Sequence, residues 1–469
     1  MIRKTEMNDI VVKILESWDE NCWSMHSMDE IHEWVEDKNK NTYVDIKECS
    51  LNDSSFWFYD DYNGEVLNRK RSFFSIKGMR LFVDDELQQE QPIIVQPEIG
   101  YLGIICKVID GVLHFLMQAK IEPGNVNCVQ ISPTIQATKS NFTRVHGGKL
   151  PAYFSLFENA DANQVIYDQI QSEQATRFYK KRNRNIIICI RDEVEVLPNF
   201  MWMTLWQIKR LMKIDNLVNM DTRTVLAGLP LYSVEANRLE ITHYEDCFHD
   251  LPLYNSIFRT DGRDYYPAIF SKLNNYKMFK DISICQVPLY HLSEWEINDA
   301  GITCKRDSDF MVRYYDIEIS GREVQEWIQP LFKAIGSAIF GLLTTVVDDV
   351  RFFLVALRPE IGNFDKIEIG PTVQWSSMHT ENNDNDVDKF FRQLLKKKEG
   401  IIVDTILSEE GGRFYHEQNR NLILEIQDMD LGLELEEYVW VPYSTLGHLV
   451  QVNNVLNIQL RNLLSLLNL

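Results

Sequence analysis

Phe115 to Gln136 reads FLMQAKIEPGNVNCVQISPTIQ, and Phe353 to Gln374 reads FLVALRPEIGNFDKIEIGPTVQ. The two segments share Phe, Leu, Glu, a Gly-Asn pair, Ile, a Pro-Thr pair and Gln at one constant offset, that of Phe115 to Phe353. The same offset links Gln91-Pro92 to Gln329-Pro330, Gly103 to Gly341 and Trp57 to Trp295. A second block repeats at a slightly shorter offset: Ser172–Ile190, SEQATRFYKKRNRNIIICI, against Ser408–Ile426, SEEGGRFYHEQNRNLILEI. An intervening loop therefore differs in length between the copies. The first offset returns where Asn216-Leu217-Val218-Asn219 faces Asn454-Val455-Leu456-Asn457 and Arg223 faces Arg461. Ordered blocks at nearly constant spacing mean two homologous halves. Their period far exceeds the roughly 20–50 residues of solenoid repeats, so each copy is domain-sized.

The halves fall at residues 31–230 and 276–469, and residues 1–30 read as a helical extension. The segment between, 231–275, has no partner in either half. It is rich in aromatics (Tyr254, Phe258, Tyr265, Tyr266, Phe270), which marks a packed connector rather than a flexible linker.

Leu102–Ile109 and Leu113–Ile121 are apolar or alternating runs separated by Asp110-Gly111, a strong hairpin signal. Ile93–Val95, Cys128–Ile131, Asn163–Gln171 and Ile186–Ile190 also read as strands. Phe200–Lys213 carries Leu205, Ile208, Leu211 and Met212 at helical spacing and is predicted as one helix. Asp221 or Thr222 would cap a second helix running to Leu229. The fold class is α+β: a duplicated chain whose halves each hold a curved, mostly antiparallel sheet with helices late in the repeat.

The 469 residues carry 48 Lys+Arg against 69 Asp+Glu, a formal net charge of −21. A nucleic-acid binder normally has a basic excess to release counterions, and an anionic membrane surface repels the same imbalance. No run of apolar residues reaches the length of a membrane span, and the polar N-terminal stretch is unlike a signal peptide. The eight cysteines include no CxxC pair, which points to reduced thiols and a cytoplasmic protein.

In a strand over Leu116–Glu122, Gln118, Lys120 and Glu122 share one face; Arg358 and Glu360 fall on the matching face of the second half. Polar residues at period two mark either the solvent side of a sheet or the wall of a polar pocket.

The words QAKIEPGN, SPTIQATKSNFTRVH, QSEQATRFYKKRNRN and DNLVNMDTRTVL, with REVQEWIQPLF, IGPTVQ and LSEEGGRFYHEQNRN later, resemble the NDP-hexose 2,3-dehydratases. The resemblance covers nearly the whole chain. It implies a Nudix-like topology in each half, a homodimer, a sugar-nucleotide pocket in each half and no redox or metal cofactor. It further implies a lyase acting on dTDP-4-keto-6-deoxyglucose, with a 3-ketoreductase downstream.

That chemistry needs a base near C3, an acid near the C2 oxygen and a donor to the C4 oxygen. Glu122 and His146 are candidates for base and acid, and Lys120 could polarise the carbonyl. Arg144 and the basic run with Arg177, Arg182 and Arg184 are candidates for the diphosphate, since guanidinium grips phosphate bidentately. Gln118, Asn125, Gln136, Asn141, Asp221 and Arg223 complete the first-half set. Arg358, Glu360, Gln374, Arg413, His416 and Arg420 are their second-half counterparts. The halves diverge at polar positions: Gln459 replaces Asp221, His416 replaces Lys180, and Pro359 precedes Glu360. Such divergence fits one pocket keeping the chemistry and the other changing role, and the first half, with Lys120, Glu122, Arg144 and His146 close in sequence, is the one expected to keep it.

Two rival readings are a silent sugar-nucleotide-binding protein and a Nudix pyrophosphohydrolase. Arg322-Glu323-Val324-Gln325-Glu326 opens like a Nudix metal box, but Trp327 stands where a second Glu is required. Without those carboxylates Mg²⁺ is not held. His243, Cys247 and His249 lack a fourth ligand for zinc.

Overall fold

The computed structural model describes residues 2–139, 150–231, 244–322 and 324–469. Strands Gly100–Ile109 and Val112–Ile121 form the expected hairpin. Asp110 and Gly111 both take positive φ (46° and 91°), the geometry a two-residue hairpin of this type requires. Around it lies a seven-stranded sheet in the order Val165–Ser172, Arg182–Cys189, Gly100–Ile109, Val112–Ile121, Phe200–Met203. Val129–Ser132 and Ile135–Ala137 pair off this path with Val112–Ile121 and Gly100–Ile109. Arg182–Cys189 joins Gly100–Ile109 in parallel, so the sheet is mixed.

The second half repeats this sheet strand for strand: Ile401–Ser408, Gln418–Ile426, Ile339–Val347, Val350–Pro359, Tyr438–Pro442, with Ile367–Gly370 and Val373–Trp375 attached alike. The register repeats too: Tyr101 faces Arg184 in one copy and Ile339 faces Arg420 in the other. The repeat blocks thus hold the same topological places.

Phe200–Lys213 is not one helix. Phe200–Met203 is a strand whose Trp202 and Met203 are buried, and the helix is Leu205–Leu211, capped by Thr204 and Gln207 in a capping box. The next helix, Met220–Leu226, is capped by Asn219. Asp221 is therefore inside the helix and available for another role.

Each half also has a smaller sheet, and these sheets exchange strands. Val44–Cys49 pairs with Phe310–Ile319 of the second half, while Ile282–Val287 pairs with Ser75–Val83 of the first. The two exchanged strands are themselves repeat equivalents, Val44 matching Ile282 at the offset of Phe115 to Phe353. The core is accordingly shared. Leu102, Phe115 and Met117 sit in one buried cluster with Leu342, Phe353 and Val355. A second cluster joins Trp57, Phe74 and Phe178 to Trp295, Phe310 and Phe414, and the Phe178 and Phe414 rings meet edge to face at 5.7 Å. These repeated aromatics are core residues.

The connector carries helices Leu251–Phe258 and Tyr266–Phe279 and packs on the second half. Ser256 Oγ donates to the Arg351 carbonyl (2.5 Å) and accepts from the Tyr443 amide (2.7 Å). The N-terminal helix Ile2–Trp18 docks on the first half, where Ser17 Oγ donates to the Leu113 carbonyl at 2.6 Å. Among the described residues no helix is long and apolar enough to cross a membrane.

Candidate active site

Along Val112–Ile121, Ala119 and Ile121 are buried while Gln118 and Lys120 alternate onto the opposite face. That face is the wall of a polar pocket, not bulk solvent. Gln118, Lys120 and Glu122 line a cavity of about 920 Å³ with Gln136, Asp221, Glu173 and Lys181. The second half contributes Arg322, Glu410 and Arg413 to the same cavity.

Glu122 is at the centre of the charge arrangement. Its Oε1 lies 2.8 Å from Lys120 Nζ and its Oε2 lies 2.9 Å from Arg322 Nη1. Burial alone would raise the carboxyl's pKa, but Arg322 and Lys120 outweigh it and hold the group well below the usual carboxylate range. Lys120 also donates to the Gln136 carbonyl (3.2 Å), and Arg322 to the Ile121 carbonyl (2.7 Å).

Asp221 is the opposite case. It is 2% exposed and its Oδ1 has no hydrogen-bond partner. Burial, then the charges of Glu173 and Glu410, raise its pKa well above the ordinary value, which favours the protonated acid. Glu410 is also raised, by burial first, and Glu173 is raised to about 7 by burial and Glu410. A hydrogen-bond chain orders these groups: Asn219 Nδ2 donates to Gln136 Oε1 (3.2 Å), and Gln136 Nε2 to Glu410 Oε1 (3.3 Å).

Part of the cavity wall comes from the opposite half. Gly124 N donates to the Gly411 carbonyl (2.7 Å) and His416 N to the Gly124 carbonyl (2.9 Å), which seats the loop bearing Glu410 and Arg413. The reciprocal contact is Lys180 N to the Gly362 carbonyl (2.8 Å). This crossing corrects two expectations. Arg177 does not line the first cavity; it lies 4.1 Å over the Phe310 ring, and its charge acts on Glu417 and on Glu360, the glutamate of the second centre. Arg413, expected in the second pocket, lines the first. His416 likewise follows the loop across to the first half and stacks on Tyr415.

Other expected pocket residues serve the framework. Arg223 is buried and donates to Asn462 Oδ1 (3.0 Å), the Val218 carbonyl (2.6 Å) and the Ser408 carbonyl (3.0 Å), tying the halves together. Arg184 makes a two-pronged ion pair with Asp168, and Arg420 repeats it with Asp404. Both ion pairs join equivalent neighbouring strands of the two repeated sheets. Arg182 lies 3.9 Å over Phe364. Asn125 Nδ2 donates to the Cys128 (2.7 Å) and Lys120 (3.4 Å) carbonyls and closes the turn after Glu122. Asn141, Arg144, His146 and His243 lie outside the described residues.

At the second centre Glu360 is as buried as Glu122, but its environment differs. Arg358 turns its guanidinium to the carbonyls of Pro371 (3.0 Å) and Thr372, leaving Glu360 Oε1 to accept from Gln374 Nε2 (2.7 Å). Burial raises Glu360 to about 7. Gln459 is buried with neither amide atom hydrogen-bonded. The Nudix-like stretch is no metal helix: Glu326–Ala334 is a strand.

An ionised carboxylate gripped by two cations, beside buried carboxyl groups whose pKa values are raised, all lining one cavity, is equipped for acid–base chemistry. The chain belongs to the NDP-hexose 2,3-dehydratase family, whose sequence model matches residues 28–229 and 267–467, one repeat in each half. Three relatives bear the name dTDP-4-dehydro-6-deoxy-alpha-D-glucopyranose 2,3-dehydratase. That of Saccharopolyspora spinosa is 35% identical over 95% of this chain and 92% of its own. That of Streptomyces violaceoruber is 35% identical over 92% and 95%. That of Amycolatopsis orientalis is 31% identical over 94% and 90%. The crystal structure of an ADP compounds hydrolase matches with a TM-score of 0.20 at 17% identity, over 31% of this chain and 77% of that one, a likeness too low to bear on the fold.

Proposed function

We propose that this chain removes water across C2–C3 of dTDP-4-keto-6-deoxy-D-glucose, giving a 3,4-diketo-2,6-dideoxy sugar nucleotide. The reading is supported by the substrate named for its relatives and by one geometric observation: Glu122, paired with Lys120 and Arg322, and Asp221, buried with an unpartnered Oδ1, line a single cavity. The C3 proton is acidic because it adjoins the C4 carbonyl. Glu122 takes it, and Lys120 donates to the enolate oxygen that develops at C4. The C2–O bond then breaks as Asp221 gives its proton to the departing hydroxyl, which leaves as water. The enol product tautomerises to the diketone. The sequence is redox-neutral and calls for no nicotinamide.

The same reading includes a Nudix-type topology in each half, a homodimer and a cytoplasmic location. The diketone is reactive, so a 3-ketoreductase would consume it next. Incubation with dTDP-4-keto-6-deoxyglucose, a ketoreductase and NADPH, followed by mass spectrometry, should show loss of one water and formation of a reduced 2,6-dideoxy sugar nucleotide. Unchanged substrate would reject the proposal.

A further inference from the structure

A carboxylate held by two cations is a weak base, and Glu122 is held by Lys120 and Arg322. The residue that distinguishes it from Glu360 is Arg322. The two glutamates follow equivalent strands of their halves, at matching repeat positions, and both are buried. Lys120 has a cationic counterpart in Arg358, but Arg322 has none: the matching turn of the first half is the tight Asp84-Asp85 hairpin, whose residues take positive φ.

Arg322 is on the turn between Phe310–Ile319 and Glu326–Ala334, and its side chain keeps 30% exposure at the cavity wall. Nη1 alone makes both its bonds, to Glu122 Oε2 and the Ile121 carbonyl. Nε and Nη2 donate to no described residue. The Trp327 ring, 5.3 Å from the guanidinium carbon, supports its plane. An arginine in a cavity wall, with one nitrogen on the carboxylate assigned as base and no described partner on its other donors, is equipped to take a second anion.

We infer that Arg322 is a positioning residue that couples substrate binding to the base: its Nε and Nη2 side receives the diphosphate of the sugar nucleotide, and sharing the guanidinium between two anions loosens its hold on Glu122. The carboxylate becomes a competent base only when substrate is seated. This rests on the dehydratase reading above. The groups acting on Glu122 are Lys120 on its own strand, Arg322, Glu410 and Arg413 from the second half, and Asp221 from the helix Met220–Leu226. Of the two cations paired with Glu122, Lys120 is divided between Glu122 and Gln136, whereas Arg322 keeps Nε and Nη2 without a described partner; Arg413, farther off, is buried against Phe73 and Phe74.

Calorimetric titration of dTDP and of thymidine into wild type, Arg322→Gln and Arg322→Lys tests the binding half without turnover. The expected result is a loss of dTDP affinity of ~10-fold or more in Arg322→Gln, a smaller loss in Arg322→Lys, and unchanged thymidine binding. Equal losses for both ligands, or dTDP affinity within twofold of wild type, would overturn it. Arg322→Lys keeps the charge and serves should Arg322→Gln fail to fold.

The coupling half is read from pH profiles of turnover. In wild type the acid limb of kcat should lie at higher pH than that of kcat/KM, because only the complex frees Glu122. In Arg322→Gln the two limbs should coincide, at higher pH than the wild-type kcat/KM limb. Separate limbs in the variant, or coincident limbs in wild type, would overturn the coupling. Failure of wild type to dehydrate the substrate would reject the dehydratase reading instead, while the titrations would still decide whether Arg322 meets the diphosphate.

Discussion

Gly124 and Phe414, one in each half, stand so close that a Cβ on Gly124 would lie 1.6 Å from the Phe414 carbonyl oxygen. Gly362 meets Phe178 in the same way, at 1.9 Å. These two contacts lock each half's loop over the other half's glutamate. Gly124→Ala must push the 409–416 loop away from the cavity, and with it Glu410 and Arg413. A cost of ~1–3 kcal/mol in stability is expected, from overpacking against backbone that has no slack. Activity per folded molecule should fall at least tenfold. Gly362→Ala should cost similar stability by denaturant unfolding but keep most of the activity, because the loop it displaces covers the second centre.

The two carboxyl groups assigned opposite jobs are distinguished by isosteric change. Glu122→Gln keeps shape and removes the base; Asp221→Asn keeps shape and removes the proton donor. Each should lower kcat ~10²-fold or more, the usual contribution of one acid or base. Glu360→Gln should lower it far less, since that glutamate sits in the other centre with only an amide on its Oε1. Steady-state assays of the three folded variants decide this, and a larger loss in Glu360→Gln than in Glu122→Gln would move the chemistry to the second half.

The duplication and the central hairpin were legible because apolar positions kept their types from one repeat to the other and Asp110-Gly111 admits few conformations. The strand–helix break at Thr204 was not, because the four strand residues Phe200–Met203 are apolar and run directly into the helical pattern. Gln118, Lys120, Glu122 and Gln136 were readable from alternation and repeat position. Arg322 and Glu410 were hidden for a different reason. They reach the first cavity only because loops and strands cross between halves, and a linear repeat assigns each residue to its own copy. Arg177 and Arg413 were exchanged between pockets by that crossing. The retained arginines Arg184, Arg223, Arg420 and Arg461 recur because they brace sheets and helices, a demand that sequence repetition cannot separate from ligand binding.

Stability should carry the mark of three buried glutamates of the second half. Burial raises Glu360 to about 7, Glu368 to about 8 and Glu409 to about 8. Unfolded glutamates release their protons near ~4.3, so from pH 5 to 7 the folded chain binds more protons at these sites than the unfolded chain. They therefore contribute stability that is complete below the unfolded value and is lost as pH rises through the folded values, by up to ~1.4 kcal/mol per pH unit per proton. His114, His416 and His448, lowered by burial, act in the opposite sense. The difference between proteins isolates the glutamates: wild type minus Glu360→Gln/Glu368→Gln/Glu409→Gln should decline in unfolding free energy from pH 5 to 7. A flat or rising difference would mean that these groups are ionised in the fold.

The strand exchange makes the halves interdependent. Val44–Cys49 hydrogen-bonds along Phe310–Ile319, with Val44 facing Ile319 and Cys49 facing Tyr314. Ile282–Val287 returns the exchange along Ser75–Val83. A piece ending at Leu231 would leave the edge of Ser75–Val83 open and Val44–Cys49 without its template. It would also expose core residues such as Phe115 and Met117 that pack in one cluster with the second half. Open edges and uncovered apolar faces drive association between chains. Either piece expressed alone, cut between Leu231 and Tyr244, should therefore aggregate or self-associate. The two pieces co-expressed should copurify one-to-one and recover dehydratase activity, because each supplies the strand, the loop and the cavity wall that the other lacks. Sedimentation of each piece and of the pair is the measurement. A first piece that is monomeric, melts cooperatively and turns over substrate by itself would show that Arg322, Glu410 and Arg413 are dispensable, and that the crossing is packing alone.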